Sequence, residues 1–224
     1  MRKSIERILE GISEHIDRGE YRVLIGDDAS GRIPALILGK NIKNIYASRD
    51  LPSPVLKFIA GTTRYCPEDQ TQDEDIKRKL DEKATRVKNF LASEKIKGHI
   101  NGSGRVLIVT DSVQTSASIR PIWEELESMD IEFDIATIGA SYLGLIQRDF
   151  PEIYSRLYYV VTHDPEIYAH EKGSNRLGGV RKEPENLHSV KTYNRNQKQV
   201  NLAREDVEKL ANQLSDWYIS RSTE

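Results

Sequence analysis

Two stretches of the chain combine residue types that can hold an anion. In the first, the apolar run Val106, Leu107, Ile108 and Val109 leads into Thr110, Asp111, Ser112, Val113, Gln114, Thr115, Ser116, Ala117 and Ser118. The run fits a strand buried on both faces. Beyond it, Ile119, Ile122, Trp123 and Leu126 have the three-and-four spacing of an amphipathic helix. The hydroxyl-rich stretch therefore lands at a helix N-terminus, where the N–H groups of Thr115 to Ser118 have no intrahelical partners and the macrodipole is positive. Such donors, with Thr and Ser hydroxyls beside them, suit a phosphate. Asp111, at the strand's carboxyl end, is placed for sugar hydroxyls or a divalent ion.

The second stretch repeats the layout. Val23 to Ile25 form a buried strand, Asp27, Asp28, Ala29, Ser30, Gly31 and Arg32 follow, and a helix starts near Ile33. Gly31 permits a positive φ in the turn, and Pro34 is tolerated in the first helical turn. The Arg32 guanidinium is a planar fork suited to two phosphate oxygens. Asp27 and Asp28 repel an anion unless Mg²⁺ bridges them or they point elsewhere.

The first stretch resembles the PRPP-binding motif of type I phosphoribosyltransferases: a hydrophobic strand, two acidic residues, two variable residues, then Thr-Thr-Gly-x-Thr or a close variant. Thr110 stands where the family usually has the first acidic residue, and Asp111 matches the second. Gln114, Thr115, Ser116, Ala117 and Ser118 fall on the phosphate loop, with Thr115 and Ser118 the closest matches. The resemblance implies that Asp111 holds ribose hydroxyls and that Ser112 and residues 114–118 surround the 5′-phosphate. It also implies that Asp28, Ala29, Ser30, Gly31 and Arg32 form the pyrophosphate loop, with Arg32 and Asp111 the catalytic residues. It covers about Tyr21 to Ile138. The implied fold is α/β, a mainly parallel, Rossmann-like sheet flanked by helices, with a variable C-terminal hood for the acceptor and Mg²⁺ arriving with PRPP.

The elements that must position these loops alternate as in an α/β protein. Ile5, Ile8, Leu9, Ile12 and Ile16 mark an opening amphipathic helix, and a strand is expected near Val55 to Ile59. Thr71 and Glu74 form a capping-box signature before a helix carrying Ile76, Leu80, Val87 and Leu91. Strands are expected at Ile131 to Ile138 and Leu157 to Val161, and a closing helix on Val207, Leu210, Leu214 and Trp217. This gives a core over residues 1–162 and a C-terminal extension over 163–224, comprising a hood loop and the terminal helix. Both loops follow strands, so both belong at the carboxyl edge of the sheet, where ligands collect in doubly wound folds.

Composition narrows the function classes. With 33 Lys and Arg against 35 Asp and Glu, the net charge of -2 exerts no global pull toward nucleic acid or an anionic membrane. No apolar stretch approaches the length of a membrane span, and the charged amphipathic N-terminus has no signal-peptide core, so a cytoplasmic protein is expected. The single cysteine, Cys66, excludes an internal disulfide. Gly61 to Asp75 has the polarity of a mobile lid or a plain insertion, and His163 to Arg204, rich in Lys and Arg, is the hood candidate. His163, Asp164, His170 and Glu171 are too loosely spaced to define a metal site, and metal ligands stay unassigned.

Three functional readings follow. The first is a pentosyltransferase that moves a phosphoribosyl group from PRPP to a nitrogenous acceptor. The second is a non-catalytic sensor of PRPP or a nucleotide, which the hydroxyl at Thr110 allows. The third is another α/β enzyme, such as a phosphatase or nucleotide hydrolase, using Asp27 or Asp111 as nucleophile or metal ligand. The implied partner is a phosphorylated sugar or nucleotide; oligomeric state stays open, a homo-oligomer included. Neither a dinucleotide Gly-x-Gly-x-x-Gly nor a P-loop signature occurs.

Overall fold

The computed structural model describes residues 1–28, 31–60, 74–100, 104–113, 119–160, 180–181, 190–191 and 197–221. Five parallel strands form the central sheet: β1 (Tyr21–Asp28), β2 (Val55–Ala60), β3 (Arg105–Val113), β4 (Phe133–Ala140) and β5 (Leu157–Tyr159), in the order β2-β1-β3-β4-β5. The helices are α1 (Arg2–Gly11), α2 (Ser13–Asp17), α3 (Arg32–Ser48), α4 (Glu74–Leu91), α5 (Glu94–Ile100), α6 (Arg120–Ser128), α7 (Leu143–Asp149), α8 (Pro151–Ser155) and α9 (Gln197–Arg221). A separate antiparallel pair, β6 (Val180–Arg181) and β7 (Val190–Lys191), falls in the segment expected to form a hood.

The period-two geometry of the strands explains the layering. Leu24, Leu107 and Val109 face one side and pack with Ile5, Ile8, Leu9, Ala35, Leu38, Ile42 and Leu214 of α1, α3 and α9. Their sequence neighbours Val23, Ile25, Val106 and Ile108 face the other side, against Val87, Leu91, Ile96, Ile122, Trp123 and Leu126 of α4, α5 and α6. Burying one such Leu, Ile or Val contributes about 1.5–3 kcal/mol before chain entropy is subtracted. Near-continuous apolar runs in β1 and β3 are the consequence of covering both faces.

Right-handed crossovers decide which helix covers which face. The chain moves outward from β1 to β2 with α3 on one face. It then returns past β1 to β3 and continues to β4 and β5, which puts α4, α5 and α6 on the opposite face. The direction of travel reverses between β1 and β3, making their carboxyl ends the topological switch point of the sheet.

Several boundaries depart from those expected of the sequence. The opening helix breaks at Ile12, whose φ of -99° and ψ of 11° separate α1 from α2, although all five expected apolar residues are buried. The strand expected at Ile131 to Ile138 begins and ends two residues later, because Asp130 turns the chain with a φ of 56°. The closing helix does not stand apart from the core: Asn41 Nδ2 on α3 donates to the Ala211 carbonyl and the Ser215 hydroxyl, each at 3.2 Å, and Leu214 and Tyr218 complete the first core cluster.

Candidate functional site

The site begins with two neighbouring carboxylates that the pleat of β1 sends to opposite faces. Asp28, 0% exposed, turns toward α3 and accepts two hydrogen bonds from Arg32, from Nε at 2.7 Å and from Nη2 at 2.5 Å. Arg32 also lies 4.4 Å over the Phe58 ring of β2. This fork-to-fork geometry neutralises a carboxylate that would otherwise be buried alone. Asp28 is therefore not a charge directed at a bound anion. Its pairing occupies one edge of a guanidinium whose remaining N–H groups extend from a side chain 31% exposed.

Asp27, 1% exposed, faces the other side, toward β3. The Thr110 hydroxyl lies 3.4 Å from Asp27 Oδ2 and 3.5 Å from Asp111 Oδ1, so it sits between the carboxylates of two strands. Thus the hydroxyl at the position where the resemblance expects an acidic residue has a carboxylate from the neighbouring strand beside it. Asp111 and Ser112 are half-buried and belong to β3, which runs on to Val113. Gln114, Thr115, Ser116, Ala117 and Ser118, expected at the phosphate, lie outside the described residues, as do Ala29 and Ser30. So do Cys66, Thr71, most of the expected lid, and His163, Asp164, His170 and Glu171.

Gly31 brings the start of α3 against the end of β3, though not by the conformation expected for it. Its φ is -74°, inside the ordinary helical region. Its requirement is space: a Cβ there would lie 2.6 Å from the Val109 carbonyl oxygen, 2.8 Å from that of Asp27 and 2.9 Å from Thr110 Cα. The Gly31 N–H donates to the Asp27 carbonyl at 2.7 Å, closing the turn that starts α3 directly against the end of β3. Gly26 meets the same demand lower in the sheet, where a Cβ would meet Ala35 and Phe58 at 2.8 Å. Pro34 lies in the first turn of α3, as expected. The first loop and the end of β3 thus meet at one edge, with the N-terminus of α3 opening onto the junction.

On the far side of β3, the β4 end adds Thr137, whose hydroxyl donates to the Gly139 carbonyl at 2.8 Å, and Gly139, which pairs with Ser112. Tyr142 follows, two residues past the strand; nothing in its sequence context assigns it a role. Its only advance signal is its place just beyond a strand's carboxyl end.

A second concentration of charge lies at the opposite, amino edge, also unforeseen. The Tyr21 hydroxyl donates to Asp134 Oδ2 at 2.7 Å, Arg105 Nη1 lies 3.2 Å from Oδ1, and His15 Nε2 lies 3.9 Å from Oδ2. Burial pushes the Asp134 carboxyl above the usual carboxylate range, against the opposing pull of Tyr21, Arg105 and His15. Burial together with the Asp134 charge pushes the Tyr21 hydroxyl far up. Its contacts tie together β1, β3, β4 and α2.

The architecture defines a doubly wound α/β protein with its candidate site at the β1/β3 switch point. The chain matches no protein-family model and no curated protein sequence.

Proposed function

We propose that the chain is a phosphoribosyltransferase-like protein that binds PRPP, or a nucleotide through its 5′-phosphate, at the β1/β3 edge and transfers the phosphoribosyl group to a nitrogenous acceptor. One observation carries this reading: the start of α3 at Gly31 is packed against Val109 and Thr110 of β3, immediately before Asp111, at the topological switch point. Helix-start donors and a guanidinium suit pyrophosphate, and a half-buried carboxylate one strand away suits ribose hydroxyls. In the transfer, the anomeric carbon loses its bond to pyrophosphate, which leaves with the electron pair, and the acceptor nitrogen supplies the new bond. Arg32 would steady the departing oxygens, while Asp111 orients the ribose and favours the positive charge that develops on it.

Among the described residues no group of three or more His, Cys, Asp or Glu side chains could cage a metal ion. A Mg²⁺ ion fits this donor set only as a companion of PRPP, taking its oxygens mostly from the diphosphate and water, with Asp111 the carboxylate within its chemistry. When bound, it would neutralise charge on the leaving group.

The Arg32–Asp28 pair and the hydroxyl at Thr110 favour a second reading, a sensor that binds without turnover. The hydrolase reading is weaker, because Asp27 is buried, with its Oδ2 beside the Thr110 hydroxyl. Calorimetric titration with PRPP and Mg²⁺, followed by a pyrophosphate-release screen over nitrogenous bases, tests the proposal. Binding with release identifies a transferase and binding alone a sensor; absence of binding to both PRPP and ribose 5-phosphate refutes both.

A further inference from the structure

Tyr142 is an aromatic residue held in a position that packing does not explain. Three non-glycine residues among those described have positive φ. Two of them, Asp50 and Asp130, follow the C-termini of α3 and α6, where a short polar side chain tolerates the left-handed region. Tyr142, at φ 55° and ψ 32°, is the bulky one. The residue is 68% exposed, and among the described residues its ring makes no aromatic contact and its hydroxyl no hydrogen bond. Strained, exposed positions of this kind concentrate at functional sites.

The backbone shows where the ring is held. Ser112 and Val113 pair with Gly139 and Ala140, and the Ser141 N–H donates to the Val113 carbonyl at 3.0 Å, prolonging the β3–β4 ladder one step beyond both strands. Tyr142 therefore leaves the same carboxyl edge as Asp111, from the strand next to it, on the side away from Arg32. The Leu145 N–H donates to the Tyr142 carbonyl at 2.9 Å, and Leu145, 44% exposed, adds an apolar side chain one turn on. The edge then runs in order from a cationic group on the β1 side, through a carboxylate on β3, to an apolar aromatic surface beyond β4.

That order matches the components of a nucleotide: phosphate, ribose, planar base. Resting on the proposed function above, we propose that Tyr142 is the stacking platform for the nitrogenous ring of the acceptor or nucleotide. Every base has a π face, so stacking on Tyr142 would hold the ring while leaving the choice of base to other residues.

The test is calorimetric titration of the full chain with ribose 5-phosphate and with the 5′-monophosphates of adenosine, guanosine, cytidine and uridine. Tyr142→Phe, Tyr142→Ala and Tyr142→Gly are compared with the parent. At least one nucleotide should bind about tenfold more tightly than ribose 5-phosphate, and the Ala and Gly variants should lose about tenfold for that nucleotide while ribose 5-phosphate binding holds. Tyr142→Phe should retain the parent affinity. Tyr142→Gly should melt at the same temperature or higher, since glycine adopts this φ freely. Ribose 5-phosphate binding without a nucleotide advantage, or an equal loss for both ligands, overturns the platform alone; no binding of either overturns the proposed function and the platform with it. A fall in melting temperature for Tyr142→Gly would make the ring a packing element. Loss of self-association in Tyr142→Ala with nucleotide affinity intact would assign the patch to a second copy of the chain; either result overturns the platform.

Discussion

At the scale of single residues, the Asp28–Arg32 pair has two separable roles. Removing the guanidinium leaves a fully buried carboxylate without its fork of donors, so Arg32→Gln should cost about 3 kcal/mol in urea unfolding. The double variant with Asp28→Asn should recover much of that loss, because both charges are then gone. If anion binding stays lost in the refolded double variant, Arg32 acts on ligand and not only on Asp28. Asp111 separates transferase from sensor. Asp111→Asn keeps the shape but replaces a charged acceptor with a neutral one, which should weaken ribose 5-phosphate binding by about 1–3 kcal/mol in calorimetry. In a transferase, turnover falls further than affinity, because the carboxylate also favours the charge developing on the ribose; in a sensor, affinity alone changes.

At the scale of elements, the site depends on how closely α3 starts against β3. The two are separated by nothing larger than the hydrogen of Gly31. Gly31→Ala must push back a strand carbonyl, not a flexible side chain, and overpacking of this kind costs about 1–3 kcal/mol. The same displacement moves the α3 N-terminus away from Asp111, so ribose 5-phosphate binding should fall in parallel with the midpoint of urea unfolding. A Gly31→Ala protein with parent stability and parent binding would show that the junction is not where the ligand sits. Since the φ at Gly31 is already ordinary, conformational strain would not account for the loss.

At the scale of the whole molecule, the two sheet edges have divided their tasks. The carboxyl edge gathers the groups of the candidate site, while the amino edge locks Asp134 among Tyr21, Arg105 and His15, with Glu20, Glu132 and Tyr158 around them. Because burial raises the Asp134 pKa, the folded protein holds that proton more tightly than the unfolded chain does. The stability Asp134 contributes is then full below about pH 4 and is lost as pH rises through the folded value. Against Asp134→Asn, which cannot ionise, the parent should lose ground in urea unfolding as pH rises above about 4. A difference that stays constant with pH would show that the carboxyl is not destabilised by ionisation. No helix among the described residues is long and apolar enough to cross a membrane.

Local repetition made the elements legible. The unbroken apolar runs at Val23 and Val106, and the three-and-four spacing at Ile5, Val87, Ile122 and Leu214, report backbone period and burial directly, so strand and helix types were readable within a few residues. The approach of Gly31 to the end of β3 was readable too, since parallel strands present their carboxyl ends at a single edge. Partners far apart in sequence were not legible, because periodicity carries no information about which faces meet. Asp27 beside Thr110, Tyr21 beside Asp134 and Asn41 beside Ser215 are set by strand order and helix docking. Gly31 shows the limit most clearly: its identity marked a constrained position, but only the approach of Val109 and Thr110 revealed that the constraint is volume and not φ. Tyr142 was equally silent, since exposure and a left-handed backbone are properties that a side chain acquires only once its neighbours have taken their places.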